Sequence, residues 1–144
     1  MRRNFADLRK EYGMTGINFD SIPEEPLDQL RSWINEAVDS GVTEPNAMNL
    51  ATLGASGRIS SRTVLLKGIT DEGVVFYTNY DSRKARDIEK YPQVSLNFLW
   101  VDLERQVRME GKARKTSTEI SDQYFSSRPR SSQIGAWASP QSNR

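Results

Sequence analysis

The chain contains neither cysteine nor histidine, and the two absences remove much of the usual chemistry. Without Cys there is no disulfide framework, thiol nucleophile, iron–sulfur cluster or thiolate zinc site. Without His there is no Ser-His-Asp triad, no imidazole-ligated haem or zinc, and no imidazole acid or base. Catalysis is left to Lys, Arg, Tyr, carboxylates or a borrowed cofactor. Long apolar runs are missing too. No stretch approaches the roughly 20 residues needed to span a bilayer, and the first residues lack the apolar core of a signal peptide. A soluble protein of a reducing, cytoplasmic compartment is expected, with no metal and no membrane partner.

What is present suits one domain, the chain being 144 residues long. Twenty Lys plus Arg stand against nineteen Asp plus Glu, but unevenly: acids dominate from 11 to 44 and bases from 103 to 144. Most of the bases are Arg, whose planar fork suits bidentate binding of phosphate or carboxylate. They are scattered rather than gathered in one run, which favours a solvated surface over a nucleic-acid face, and no nucleic-acid partner is expected.

Residues 1–25 read as a mobile N-terminal arm, polar and ending in the breaker-rich Ser21–Pro26. Residues 26–144 form the domain proper. A helix is expected from Leu27 to Ser40, with Leu27, Leu30, Ile34, Ala37 and Val38 on one stripe and Gly41 as its stop. The period then changes to that of strands: 47–53, 59–67 and 74–78, separated by Gly-rich turns, read as consecutive antiparallel strands. Asp81 or Ser82 can cap a short helix from Arg83 to Lys90, which Pro92 prevents from continuing. Strands at 94–100 and 105–115 follow, the second with Val107, Met109 and Ala113 on one side and Gln106 on the polar side. Thr116 and Glu119 form a capping-box signature for a helix to Ser127. The expectation is a mainly β, α+β domain, a small antiparallel barrel of Greek-key type, since closing a sheet hides its edges.

Several segments share the theme of anion binding. In Arg62–Lys67, alternation puts the two bases on opposite faces, so they can serve one ligand only through a bulge or with Lys67 at the strand end. In 77–84 a strand runs into a helix start, where backbone N–H groups, Ser82 and the Arg83–Lys84 pair suit a phosphate. Simple capping with two exposed bases is the bland alternative. Around 124–137, the Tyr124 hydroxyl, Arg128 and the Ser hydroxyls near a Pro-fixed turn are the donors expected around a phosphomonoester. A basic loop with core aromatics is its alternative.

Together these strings resemble the pyridoxine/pyridoxamine 5'-phosphate oxidase family of flavoproteins. The matches are 62–67 (RTVLLK), 75–84 (VFYTNYDSRK), 103–107 (LERQV), 124–137 (YFSSRPRSSQIGAW) and 139–142 (SPQS), in order along the chain. The resemblance implies an FMN-binding split β-barrel that works as a homodimer, with FMN between subunits. It implies FMN contacts at Arg62, Thr63, Val64, Leu65, Leu66 and Lys67, at Tyr77, Thr78, Arg83 and Lys84, and at Gln106, Gln141 and Ser142. Substrate contacts match Lys67, Tyr124, Arg128 and Ser132, while Arg9 and Tyr12 match an arm that closes over the site. The implied reaction oxidises pyridoxamine or pyridoxine 5'-phosphate to pyridoxal 5'-phosphate, with dioxygen reduced to hydrogen peroxide. No single residue stands out as catalytic, because the flavin supplies the redox chemistry. Family members continue past the segment matching Gln141–Ser142 into strands bearing an Arg-x-His substrate motif, so the chain is expected to be an incomplete version of a longer protein. A noncatalytic FMN- or pyridoxal-phosphate-binding module and an Arg-rich RNA-binding barrel are the competing readings.

Overall fold

A computed structural model of the chain describes residues 2–13, 16–79 and 81–116. Helix α1 spans Pro26–Asp39. It begins one residue before the expected Leu27, because the fixed φ of proline suits a first helical turn. Leu30 and Ala37 are buried and Leu27 and Ile34 half-buried, as the stripe requires. Val38 departs from it, being 56% exposed; Trp33 packs on the core instead. Trp33 lies one turn before Ala37 on the same face, whereas Val38 is rotated away. The helix stops where Gly41 adopts φ +74°. There the Gly41 N–H donates to the Val38 carbonyl and the Val42 N–H to the Ala37 carbonyl, each at 3.1 Å. This bond pair is the Schellman ending, which satisfies two orphan carbonyls.

Five strands follow: β1 (Ala47–Leu53), β2 (Ile59–Thr70), β3 (Gly73–Phe76), β4 (Gln93–Trp100) and β5 (Arg105–Lys112). Helix α2 (Arg83–Lys90) lies between β3 and β4. The sheet order is β3-β2-β1-β4-β5, with every pairing antiparallel. The first three strands are sequential neighbours, as expected. The segment containing α2 then carries the chain across, so that β4 pairs with the free side of β1, the strand arrangement of a Greek key. Strand β2 overruns its expected end at Lys67. Leu66 faces Phe76 but Gly68 faces Val75, so Lys67 is the extra residue of a β-bulge that lets the strand continue.

The inner face of the sheet presents Met48, Leu50, Val64, Leu66, Leu96, Phe98 and Trp100 to Leu30 and Ala37 of α1. Full burial of each larger side chain contributes about 1.5–3 kcal/mol. The one polar end in this group is satisfied: the Trp100 indole donates to the Pro45 carbonyl at 2.8 Å. Arg105 lies over the Trp33 ring at 4.8 Å and pairs with Glu36, joining α1 to the start of β5. At the far side, Glu72 in the β2–β3 turn pairs with Arg114, just beyond β5. Residues of both edge strands, β3 and β5, line one cleft of about 1170 Å³. The result is a mainly antiparallel half-barrel. Among the described residues, no helix is long and apolar enough to cross a membrane. The helix expected up to Ser127 lies, beyond Thr116, outside the described residues.

Candidate functional site

Helix α2 reads RKARDIEK, and its buried side chains are Lys84 and Asp87 rather than apolar ones. Burying charge is costly unless something compensates it, so an inverted helix of this kind is a candidate ligand site. Its start is well made. Ser82, itself buried, is the N-cap, and its Oγ accepts from the Ala85 N–H at 3.2 Å. Thr78 Oγ1 stands 3.2 Å from the same hydroxyl oxygen, so two hydroxyls lie at the positive end of the helix. Arg83 and Lys84 add cations exactly where the helix dipole disfavours them. Lys84 is only 3% exposed, and among the described residues no salt bridge reaches it. Burial, with the nearby Arg62 guanidinium, pushes its ammonium below the ordinary lysine range.

Arg62 comes from the sheet. It lies in β2 on the inner face with Val64 and Leu66, and its Nη1 donates to Thr52 Oγ1 at 2.7 Å and to the Leu50 carbonyl at 3.3 Å. Thr52 Oγ1 donates in turn to Asp87 Oδ2 at 3.2 Å. Burial pulls the Arg62 pKa down, Asp87 opposes this, and Arg83 adds to it. Arg62, Arg83 and Lys84 thus form a cationic cluster at a helix N-terminus with one carboxylate behind it. Such a cluster can hold a phosphate monoester, since charge-assisted bonds to an anion offset the cost of burying the cations. Among the described residues there is no group of three or more His, Cys, Asp or Glu placed to hold a metal ion.

The sequence-predicted residues fall into three groups. Arg62, Thr78, Arg83 and Lys84 come together here. Tyr77 and Thr78 also line the cleft between the edge strands. Of the rest of the β2 run, Val64 and Leu66 are core while Thr63 and Leu65 point to the exposed outer face. Lys67 is exposed at the bulge, the irregularity that its parity with Arg62 called for. Gln106 is exposed opposite Leu99, on the outer side of β5 and away from the cluster. Arg9 and Tyr12 are exposed on the arm, where the Gly13 N–H donates to the Glu104 carboxylate at 3.1 Å. Tyr124, Arg128, Ser132, Gln141 and Ser142 lie outside the described residues. Thr52 and Asp87 were missed. The signal for Thr52 was a polar residue at the inward parity of Met48 and Leu50; Asp87 carried none that set it apart from other helix acids.

Comparison with known proteins bears on the family and the fold. The family described as pyridoxamine 5'-phosphate oxidase matches residues 34–144. A pyridoxine/pyridoxamine 5'-phosphate oxidase of Rubrobacter xylanophilus is 55% identical over 141 residues, covering 98% of this chain and 65% of that protein. The namesake from Chromobacterium violaceum is 52% identical over 142 residues, covering 99% of this chain and 67% of that protein. The chain therefore spans about two thirds of the length of these relatives. Among solved structures, PhzG from Burkholderia lata 383, in complex with tetrahydrophenazine-1-carboxylic acid, superposes with a TM-score of 0.84 at 32% identity, over 92% of this chain and 67% of that one. A pyridoxamine 5'-phosphate oxidase-related, FMN-binding protein of Nostoc punctiforme shares the fold, with a TM-score of 0.62 at 19% identity over 77% of this chain and 63% of that one. With its split-barrel half and the matched profile over most of its length, the chain belongs to the pyridoxamine 5'-phosphate oxidase family.

Proposed function

We propose that this chain binds FMN, with the flavin phosphate held by Arg62, Arg83 and Lys84 at the start of α2, and that the protein oxidises pyridoxamine or pyridoxine 5'-phosphate to pyridoxal 5'-phosphate. The observation that carries the reading is the buried Lys84 beside Arg62 at a hydroxyl-capped helix N-terminus, a donor set that fits a phosphate monoester. FMN, when bound, would supply the redox chemistry of a two-electron oxidation with dioxygen as the final acceptor and hydrogen peroxide as its product. The chain's own residues bind and orient. Arg62, Lys84 and the helix N–H groups fix one end of the cofactor, and Tyr77, Thr78, Gln106, Gln141 and Ser142, with the backbone of 63–66, complete its seat. Lys67, Tyr124, Arg128 and Ser132 clamp the substrate phosphate, which lowers the entropic cost of presenting the reacting carbon. Residues 1–25 serve as an arm that brings Arg9 and Tyr12 over the site, and 26–144 as the flavin-binding domain.

The working unit is a homodimer joined through the outer face of the sheet. Leu65 and Leu99 are exposed there, and Asn97 Oδ1 is buried with no hydrogen-bond partner among the described residues. A second copy docked on this face would cover these apolar side chains. The likeness to PhzG keeps another reduced ring open as substrate. The 55% and 52% identities to phosphate oxidases, against 32% to PhzG, weigh for the phosphorylated pyridine. The test is to reconstitute the purified protein with FMN, remove free flavin, and record absorbance and peroxide release with pyridoxamine 5'-phosphate. No retained flavin spectrum would overturn the cofactor assignment. Retained flavin without turnover would leave a noncatalytic flavin-binding module.

A further inference from the structure

We propose that Thr52 and Asp87 are positioning residues, a buried relay from α2 through β1 that fixes the Arg62 guanidinium in its anion-binding orientation. The inference deepens the flavin-phosphate reading above and rests on it. The three side chains form one continuous chain of hydrogen bonds. Thr52 is 2% exposed and Asp87 9% exposed. The single Thr52 hydroxyl proton goes to Asp87 Oδ2 at 3.2 Å, and a lone pair of the same oxygen receives Arg62 Nη1 at 2.7 Å. Because the hydroxyl has only one proton, the carboxylate acceptor on one side leaves its oxygen free to accept from the guanidinium on the other. The Leu50 carbonyl, 3.3 Å from the same Nη1, supplies a second anchor. Asp87 is in turn walled in by Gly54, where an added Cβ would stand 3.6 Å from Asp87 Oδ1 and 3.3 Å from the Arg58 carbonyl.

The relay also resolves an electrostatic oddity. A carboxylate next to an anion site opposes the anion, so its presence behind three cations calls for a role other than attraction. Holding Arg62 by one edge through a neutral hydroxyl leaves the rest of its donor fork free for a ligand.

The experiment measures FMN and riboflavin affinity side by side by calorimetry, because riboflavin has the same ring and no phosphate. Thr52→Val keeps shape and burial while deleting the hydroxyl. It is expected to weaken FMN binding about tenfold, the scale of one charge-assisted bond, with riboflavin unaffected, and Thr52→Ser is expected to restore FMN affinity. Wild-type FMN affinity in Thr52→Val, or an equal loss for riboflavin, overturns the relay. Asp87→Ala provides the second arm and decides the matter if Thr52→Val does not fold. Through-space electrostatics alone predicts tighter FMN binding once the carboxylate is gone, whereas the relay predicts weaker binding; tighter or unchanged binding overturns it. Wild-type protein that binds neither FMN nor inorganic phosphate overturns the flavin reading and the relay together, an outcome distinct from a wild type that binds FMN and variants that bind it equally well.

Discussion

Lys84 is the most buried cation of the candidate site. Burial and Arg62 lower its pKa in the folded protein below the ordinary lysine value of 10.5. Between those two values the unfolded chain holds more protons than the folded one, so stability rises with pH across that window. Below the window Lys84 is charged in both states and the cost of burying it is fully present. Lys84→Met is therefore expected to raise the melting temperature of the flavin-free protein at neutral pH, with the gain shrinking as pH climbs towards 10.5. Thermal melts across pH check this, and an unchanged or lower melting temperature at neutral pH would sink it. Arg83→Ala with Lys84→Ala should weaken FMN binding at least tenfold, since charge-assisted contacts are worth about 1.5–3 kcal/mol each. Equilibrium titration of flavin fluorescence reads this out; unchanged affinity removes the helix start from the phosphate site. The cations of this site were legible in the sequence, because Arg83 and Lys84 follow a capping Ser and Arg62 heads a strand run that ends in a second base, Lys67. The relay behind them was not, since nothing local to Thr52 or Asp87 says that the two meet across a strand–helix packing.

Among the elements, β1 and α2 begin where the sequence places them, because Gly, Pro and capping residues punctuate the chain there. The end of α1 is similarly local. Gly41 at φ +74° has nothing near its missing Cβ, so Gly41→Ala tests backbone strain alone. It should cost about 1 kcal/mol, a fall of roughly 3 °C in melting temperature, measured by calorimetry; no change would mean that the Schellman bonds tolerate a side chain. Strand β2 was less readable. Its run past Lys67, and the shortening of β3 to Phe76, follow from a bulge set by which residues of the partner strand are opposite. That pairing is tertiary and leaves no local mark. The partner of β4 was equally hidden, as the choice of β1 over β3 is made across the whole 77–92 connection. Alternation of apolar residues still identified which face of β4 and β5 turns inward, because one face of the sheet carries the core.

The whole molecule has two faces of different character, an inner one packed by α1 and an outer one on which Leu65 and Leu99 are 38% and 58% exposed. If a second copy covers the outer face, Leu65→Asp with Leu99→Asp should convert a dimer to a monomer in sedimentation velocity and lower flavin affinity with it. A double variant that still sediments as a dimer places the interface elsewhere. The inward charges of α2 have one further consequence. A helix that buries Lys84 and Asp87 beside one half-buried apolar contact, Ile88, owes part of its hold to whatever neutralises its cations. In hydrogen exchange, the amides of 83–90 should open early in flavin-free protein, and saturating ligand should slow them according to RT ln(1 + [L]/Kd), while β1 and β4 change little. Trypsin would then cut after Arg83, Lys84 and Arg86 faster in empty molecules than in loaded ones. Cofactor supply would thereby set how long each copy survives in a cell, and the stock of intact protein would track the stock of flavin.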